Sequence, residues 1–432
     1  MRTSVFKHIS NPKEFKQQLL IWAQQFREIV FLDSNLDVNP ESKQHSTYEG
    51  IMALDGFTSI KTDFNNAFED LKQYQQTTKD WIFGYLSYDL KNNVEVLQSH
   101  NFDGLDFPEL FFFQPKKLFL WKENELEILY LNMCADEIEE DYNEILESRK
   151  PKVEINKATL IQQRIPKENY LEKVSKILQY IHHGALYEAN FCMEFYAENT
   201  TIIPLEKFQK LNEISKAPFS VYFKNNTNFL LSASPERYLK KEGELLISQP
   251  IKGTARRFSD PAEDEKSKKA LALDPKERAE NIMISDLVRN DLSRTAQKGS
   301  VQVEELCGIY SFMQVHQMIS TITSKLDPQY SLIEAIKTTF PMGSMTGAPK
   351  ISAMKIIEEL EETKRGLYSG AIGYFTPESD FDFNVVIRSI LYNSDKKYLS
   401  FSVGSAITSE AIPEKEYEEC LLKAKAMFEV LS

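Results

Sequence analysis

A chain of 432 residues, 42% apolar and 27% charged, has the makings of a soluble globular protein with one large core or two to three ordinary ones. Its 51 basic and 64 acidic side chains leave a formal charge of −13, which argues against nucleic acid or an anionic membrane as the main partner. No apolar run approaches the roughly 20 residues of a membrane span and the N-terminus lacks a signal-peptide core. The scattered Cys134, Cys192, Cys307 and Cys420 suggest neither a disulfide framework nor a zinc site, so a reduced, cytoplasmic setting is expected.

Residues 1–150 read as an α+β region. Helical spacing of Phe15, Leu19, Trp22 and Phe26 predicts a helix from Pro12 to Arg27, and Ile29 to Leu32 predicts a strand. A polar loop, Asn35 to Glu49, follows. Trp81 to Tyr88 and Phe111 to Trp121 read as aromatic strands, the second forming a hairpin with Leu126 to Cys134, and Asp136 to Ser148 as an acidic helix. The charged stretch from Arg149 to Ala158 marks a linker, set at 151–165, before a second region, 166–432.

That region opens with a helix from Pro166 to His183, closed by Gly184. Strands are expected over Leu186 to Tyr196, twice within Ser220 to Leu231 around Asn225-Asn226, and over Leu245 to Ile247. Ser259 to Lys269 reads as a charged loop. Asp274, Pro275 and Glu277 then stand at the N-cap, first and third positions of a helix running toward Asn290. Ile309 to Ile322 is strand-like and Leu332 to Thr338 helical. The loop from Phe340 to Pro349 feeds a helix with Ile351, Met354 and Ile357 inward. Gly370 to Phe375, Phe383 to Tyr392 and Tyr398 to Thr408 read as strands, and Pro413 to Leu431 as a helix.

Two features point to chemistry. The first is Ser248 to Arg257, where Lys252 stands at a strand's exit between Pro250-Ile251 and a Gly253-Thr254 turn. Pro250 biases Gln249 toward extended geometry, and Gly253 permits close approach of a ligand to the backbone. The second is a pair of Glu-x-x-Glu steps. At about 100° per residue, Glu277 and Glu280 share a face with Ile284, Leu287 and Val288. Glu416 and Glu419 likewise share a face with Cys420, Met427 and Val430. Four carboxylates aimed at a core would cost several kcal/mol each if unpaired. An all-oxygen donor set favours a hard cation, Mg²⁺ first. Lys423, one turn beyond Glu419, would reach a ligand carboxylate at the same place.

Further ordered motifs accompany these. They are Gln-Pro-Ile-Lys-Gly-Thr around Lys252, Ala279 to Leu292, Phe340 to Lys350, Gly366 to Tyr374, Val403 to Ile407 and the closing Glu-Tyr-Glu-Glu. Together they resemble the chorismate-utilising enzymes: the component I chains of anthranilate and aminodeoxychorismate synthases, and the isochorismate and salicylate synthases. The likeness covers about Pro166 to Leu431. Before residue 150 only Phe31 to Ser34 and Gly84 to Leu90 echo the amino-transferring members. The resemblance implies an α+β fold of large mixed or antiparallel sheets packed as a sandwich with helices outside. Lysine at position 252 is similar to the Pro-Ile-Lys-Gly-Thr of aminodeoxychorismate synthases, whereas anthranilate synthases carry alanine there.

By this resemblance Glu280 and Glu419 would be the closer Mg²⁺ ligands, and Glu277 and Glu416 would hold its waters. Arg388, Tyr368, Gly404 with Ser405, and Lys423 would grip the carboxylates of chorismate, and Gly253, Thr254 and Ser344 would line the pocket. Glu236 would protonate the departing C4 hydroxyl, Lys252 would add as a neutral amine to C2, and ammonia would then displace it at C4. A neutral lysine is what desolvation favours. The chain shows no glutaminase cysteine motif, so a separate glutamine amidotransferase subunit, or free ammonia, is the expected ammonia source. The rival readings are anthranilate synthase component I and a non-catalytic effector-binding homologue. Three positions depart from the family's pattern. Glu188 stands where glutamine is common, Gln317 where histidine is common, and Ala406 where some relatives have glycine.

Overall fold

The computed structural model describes residues 1–39, 45–149 and 159–432, and among these lie twenty strands and eleven α-helices. The first part contributes β1 (Arg2–His8), α1 (Pro12–Trp22), β2 (Glu28–Asp33), β3 (Gly50–Thr62), α2 (Ala67–Thr78) and β4 (Ile82–Leu86). The single turn α3 (Lys91–Val94), β5 (Leu110–Lys122), β6 (Glu125–Leu131) and α4 (Ile138–Glu147) follow. Next come β7 (Gln162–Gln163), α5 (Lys167–His182), β8 (Glu188–Ala197), α6 (Pro204–Ser215), β9 (Phe219–Asn225), β10 (Asn228–Ser234), β11 (Arg237–Glu242), β12 (Leu245–Gln249) and β13 (Ile251–Arg256). Then follow α7 (Pro261–Leu273), α8 (Pro275–Ser293), β14 (Gln302–Ser311), β15 (Val315–Lys325), α9 (Leu332–Thr339) and β16 (Gly347–Ala348). The last are α10 (Lys350–Leu360), β17 (Ala371–Phe375), β18 (Phe381–Val385), β19 (Ser389–Asn393), β20 (Tyr398–Ile407) and α11 (Pro413–Leu431).

The thirteen-residue strand β5 belongs to two sheets at once. One edge pairs with β3 along nearly its whole length. The other edge pairs with β4 through residues 110–113 and with β6 through 117–122. Pro115, which has no N–H to give a ladder, sits at the division, opposite an irregularity in β3. From β5 one sheet runs through β3, β2, β9, β10, β19, β20 and β8. The other runs through β4, β17, β18, β11, β12 and β15. Every ladder between named strands is antiparallel; the parallel component is confined to the bridge between Phe102 and Thr363.

The inner faces of the two sheets meet in an aromatic core that includes Phe83, Tyr85, Phe111, Phe113, Phe223 and Tyr374. The outer face of the first sheet is covered by α1, α4, α5, α6, α10 and α11, and that of the second by α2, α8 and α9. The expected sandwich with helices outside is what forms. Strands from both sides of the expected linker share both sheets: β2 pairs with β9, and β4 with β17. Residues 150–158 of that linker lie outside the described residues; the remainder carries β7.

Four local expectations need correction. The charged loop over 259–269 is instead α7, capped by the Asp260 carboxylate, which accepts from the N–H groups of Ala262 and Glu263. Leu271 is its buried residue, so no apolar period announces the helix. The single strand expected over Ile309 to Ile322 is the hairpin β14–β15; its turn at Phe312 to Gln314 holds no Gly, Pro or Asn to mark it. The strand expected over Phe383 to Tyr392 is broken at Arg388, which adopts φ +52°. Ile351, expected inward, is 44% exposed, whereas Met354 and Ile357 are buried.

That break has an architectural cause. β10–β19 lies in the first sheet and β11–β18 in the second. The two strand pairs therefore cross together from sheet to sheet, at Pro235-Glu236 on one side and 386–388 on the other. Val385 N–H donates to Glu236 O at 3.0 Å, and Ala233 N–H to Arg388 O at 3.1 Å.

Candidate active site

The crossing buries Glu236 at 3% exposure. Ser344, in the turn after α9, donates its hydroxyl to Glu236 Oε1 at 2.6 Å. Burial pushes the Glu236 carboxyl up to about 7, against the opposing pull of Ser344 and the charge of Lys252.

Lys252 enters from β13. The ladder to β15 slips between Ile251 and Thr254, so Lys252 and Gly253 bulge out of register. Gly253 has φ +95°, and a Cβ there would lie 3.1 Å from Glu277 Oε2, so α8 itself occupies the close approach. Asn281 on α8 holds the bulge in place, donating to Lys252 O at 3.2 Å and Met318 O at 3.0 Å. The Lys252 amine donates to Glu188 Oε1 at 2.6 Å. Glu188 opens β8, is fully buried, and its Oε2 accepts no hydrogen bond. Burial pulls the Lys252 amine down, but the charges of Glu188, Glu280 and Glu236 outweigh it and hold the amine above its usual value. The neutral amine expected from desolvation is therefore not the resting form.

The glutamates of α8 and α11 approach one another through Glu277 and Glu419. Glu277 feels Glu419, and Glu416 feels both Glu419 and Lys276. Burial raises Glu277 and Glu416, and takes Glu280 up to about 7. Glu419 is lowered: burial pushes it up, but Lys423, 2.6 Å away, prevails. Lys276 stands in the field of all four, its amine 3.8 Å from Glu280 Oε1. That oxygen is buried and accepts no hydrogen bond. Among the described residues no three acidic, histidine or cysteine side chains converge as a ready-made metal cage. The donor set nonetheless fits a hard cation in kind. It is all carboxylate, three of its members are raised by burial, and one carries a bare buried oxygen.

The residues expected to grip carboxylates lie next to these glutamates. Lys423 donates to Gly404 O at 2.9 Å, and Arg388 to Lys423 O at 3.4 Å. Gly404 is packed so closely that a Cβ would lie 2.6 Å from Cys192 Sγ, and Cys192 in turn donates to the buried Tyr368 hydroxyl at 3.9 Å. Ser405 lies 3.0 Å from the Tyr170 hydroxyl and hydrogen-bonds Glu416. Thr254 lies at the exposed side of β13, opposite Gln317. His316 faces away, paired with Asp264 at 3.1 Å and Ser311 at 2.9 Å. Gln317 is buried with an oxygen that accepts no hydrogen bond.

Lys276 and Asn281 of the site had no sequence signal of their own, and Glu188 showed only as a departure from the family's pattern. Glu188 opens a strand in which every other residue but Tyr196 is buried. The pointer to it lay elsewhere, since a buried Lys252 requires a counter-charge. Lys276 and Asn281 were hidden beside the conspicuous glutamates. A cavity of about 500 Å³ is lined by Leu32, Asp33, Ser34, Tyr48, Pro218 and Arg237 among others.

The chain is 30% identical over 384 residues to aminodeoxychorismate synthase component 1 of Bacillus subtilis, covering 86% of this chain and 79% of that one. It is 33% identical over 416 residues to the chloroplastic aminodeoxychorismate synthase of Arabidopsis thaliana, covering 89% of this chain. Of the plant protein's own length it spans 44%. The crystal structure of anthranilate synthase component I from Streptococcus pneumoniae superposes with a TM-score of 0.77 at 23% identity, covering 88% of this chain and 91% of that one, and so shares the fold. The sequence profile of the chorismate binding enzymes matches residues 28–429, spanning both sheets and every element of the site, and the chain belongs to that family.

Proposed function

We propose that the chain converts chorismate and ammonia to 4-amino-4-deoxychorismate, on the route to p-aminobenzoate and folate, in the cytoplasm. A partner glutamine amidotransferase subunit supplies the ammonia. The observation that carries this reading is the Lys252 amine. It is buried beside Glu188 and within the field of both Glu236 and Glu280. The names of the Bacillus and Arabidopsis relatives agree with it.

Glu280 and Glu419 would hold Mg²⁺, with Glu277 and Glu416 acting through its waters. When bound, the ion supplies positive charge for the ring carboxylate of chorismate. Arg388 and Lys423 hold the substrate's carboxylates and fix its orientation. Glu236, protonated near neutral pH and held by Ser344, gives its proton to the departing C4 hydroxyl. Lys252 adds to C2 as the double bonds shift, and ammonia then attacks C4 and releases the lysine.

The test incubates the purified chain with chorismate, Mg²⁺ and an ammonium salt. The product is converted by a 4-amino-4-deoxychorismate lyase and read as p-aminobenzoate. Fluorescent anthranilate in place of p-aminobenzoate would replace this reading with anthranilate synthase component I. Chorismate binding without turnover would replace it with the effector-binding homologue.

A further inference from the structure

The proposed chemistry leaves Glu188 without a task, although it is the hydrogen-bond partner of Lys252. It is 0% exposed, its Oε1 accepts from the Lys252 amine at 2.6 Å, and its Oε2 accepts nothing. Buried carboxylates ordinarily satisfy both oxygens. A buried ion pair is also costly to keep once water is excluded.

We propose that Glu188 is the catalytic proton acceptor for Lys252, taking a proton from the ammonium as substrate closes the site and returning it when the lysine leaves. This rests on the reading of Lys252 as the nucleophile. The balance is as follows. Proton transfer turns the ammonium–carboxylate pair into a neutral amine and a neutral carboxyl. The amine's electron pair forms the bond to C2, the ring double bonds shift, and the C4 oxygen departs as water with the proton of Glu236. Ammonia then bonds to C4, and the C2–N bond breaks with its electrons returning to Lys252. Glu188 gives the amine back its proton, and the new C4 ammonium group gives one to Glu236. Chorismate and ammonia become 4-amino-4-deoxychorismate and water, and both acids are reset. Closing a cyclic substrate over the pair strips its remaining water, which penalises two charges far more than two neutral groups.

The groups that face the Lys252 amine are Glu188 from β8, Glu236 from the β10–β11 crossing and Glu280 from α8. Glu236 is assigned to the leaving oxygen, and Glu280 acts on the amine through its charge without a hydrogen bond to it. Glu188 alone is in hydrogen-bond contact with the amine among the described residues.

The experiment follows the substrate-derived mass adduct on Lys252 in the full chain, with chorismate and Mg²⁺ but no ammonia, in the parent, Glu188→Gln and Glu188→Asp. In Glu188→Gln, adduct formation at pH 7.5 is expected to slow about a hundredfold, the lower end of general-base effects. Its rate should climb more steeply with pH than the parent's, while chorismate affinity, read by fluorescence titration, stays within about threefold. If Glu188→Gln does not fold, Glu188→Asp carries the test and should be slowed about tenfold, because its carboxylate stands one methylene farther from the amine. An adduct formed by either folded variant at the parental rate and with the parental pH dependence overturns the role of Glu188 alone. A parent that turns over with no adduct removes the nucleophile reading, and this role with it.

Discussion

Glu236 and Arg388 occupy the same crossing between the two sheets, each at the break in its own strand, and each lends its carbonyl to the other's strand. The site is built where the fold has to interrupt regular pairing. A side chain at such a point lies between two layers instead of on one face of a strand, and so points toward the space that α8 and α11 enclose. A carboxyl and a guanidinium are thereby held by backbone geometry common to both.

The Lys252–Glu188 pair should behave as one unit in stability as well as in catalysis. Lys252→Met leaves the Glu188 carboxylate buried and unpaired, and is expected to cost about 3–5 kcal/mol. The double variant Lys252→Met/Glu188→Leu should recover most of that loss while remaining inactive. Urea unfolding midpoints decide this: a single variant as stable as the parent would show that the pair contributes nothing.

Glu236 should impose an alkaline limb on activity. It donates in its protonated form, so the rate should fall as pH rises through about 7. Ser344→Ala removes a hydrogen bond that favours the carboxylate and should move the limb to higher pH. The same carboxyl acts on stability. Its folded value lies above the ordinary 4.5, so its contribution is complete below about 4.5 and is lost as pH rises through about 7. Glu236→Gln should therefore gain stability over the parent at pH 8 but not at pH 4.5, which thermal melts at the two pH values would show.

A divalent ion should compete with Lys276 for the four glutamates. Calorimetric titration with Mg²⁺ is expected to show binding weakened at least tenfold by Glu280→Gln, a loss of about 1.4 kcal/mol or more. Lys276→Ala should tighten it by roughly two- to fivefold, the scale of a half-exposed charge. An unchanged isotherm in both variants would place the ion elsewhere.

Gly404→Ala should act as a wedge. Its Cβ would stand 2.6 Å from Cys192 Sγ and 3.0 Å from Phe191 O, so β20 must part from β8. Overpacking of this kind costs about 1–3 kcal/mol. Because Lys423 donates to the Gly404 carbonyl, KM for chorismate should rise more than kcat falls, measured by steady-state kinetics.

The two glutamate helices were legible because their starts are written locally. Asp274 caps α8 with its own carboxylate, Pro413 opens α11, and the helical period then assigns the faces. Glu188 was not, because it meets Lys252 across 64 residues of chain and no local rule couples them. The break at Arg388 was hidden for a different reason. Phe383 to Tyr392 is apolar on both faces as it passes from sheet to sheet, so its composition stays that of one buried strand while its backbone turns. Helix α7 was missed altogether because a helix that buries little leaves no stripe.

The shared strand β5 carries a practical lesson for anyone dissecting this protein. A fragment begun at residue 159 would keep nearly all the acidic and basic groups discussed above, yet it would strip β2 from β9 and β4 from β17. Two raw strand edges would then face solvent, rich in phenylalanine and tyrosine, and such edges recruit copies of themselves. Insoluble aggregates, not a minimal enzyme, are what that truncation should yield.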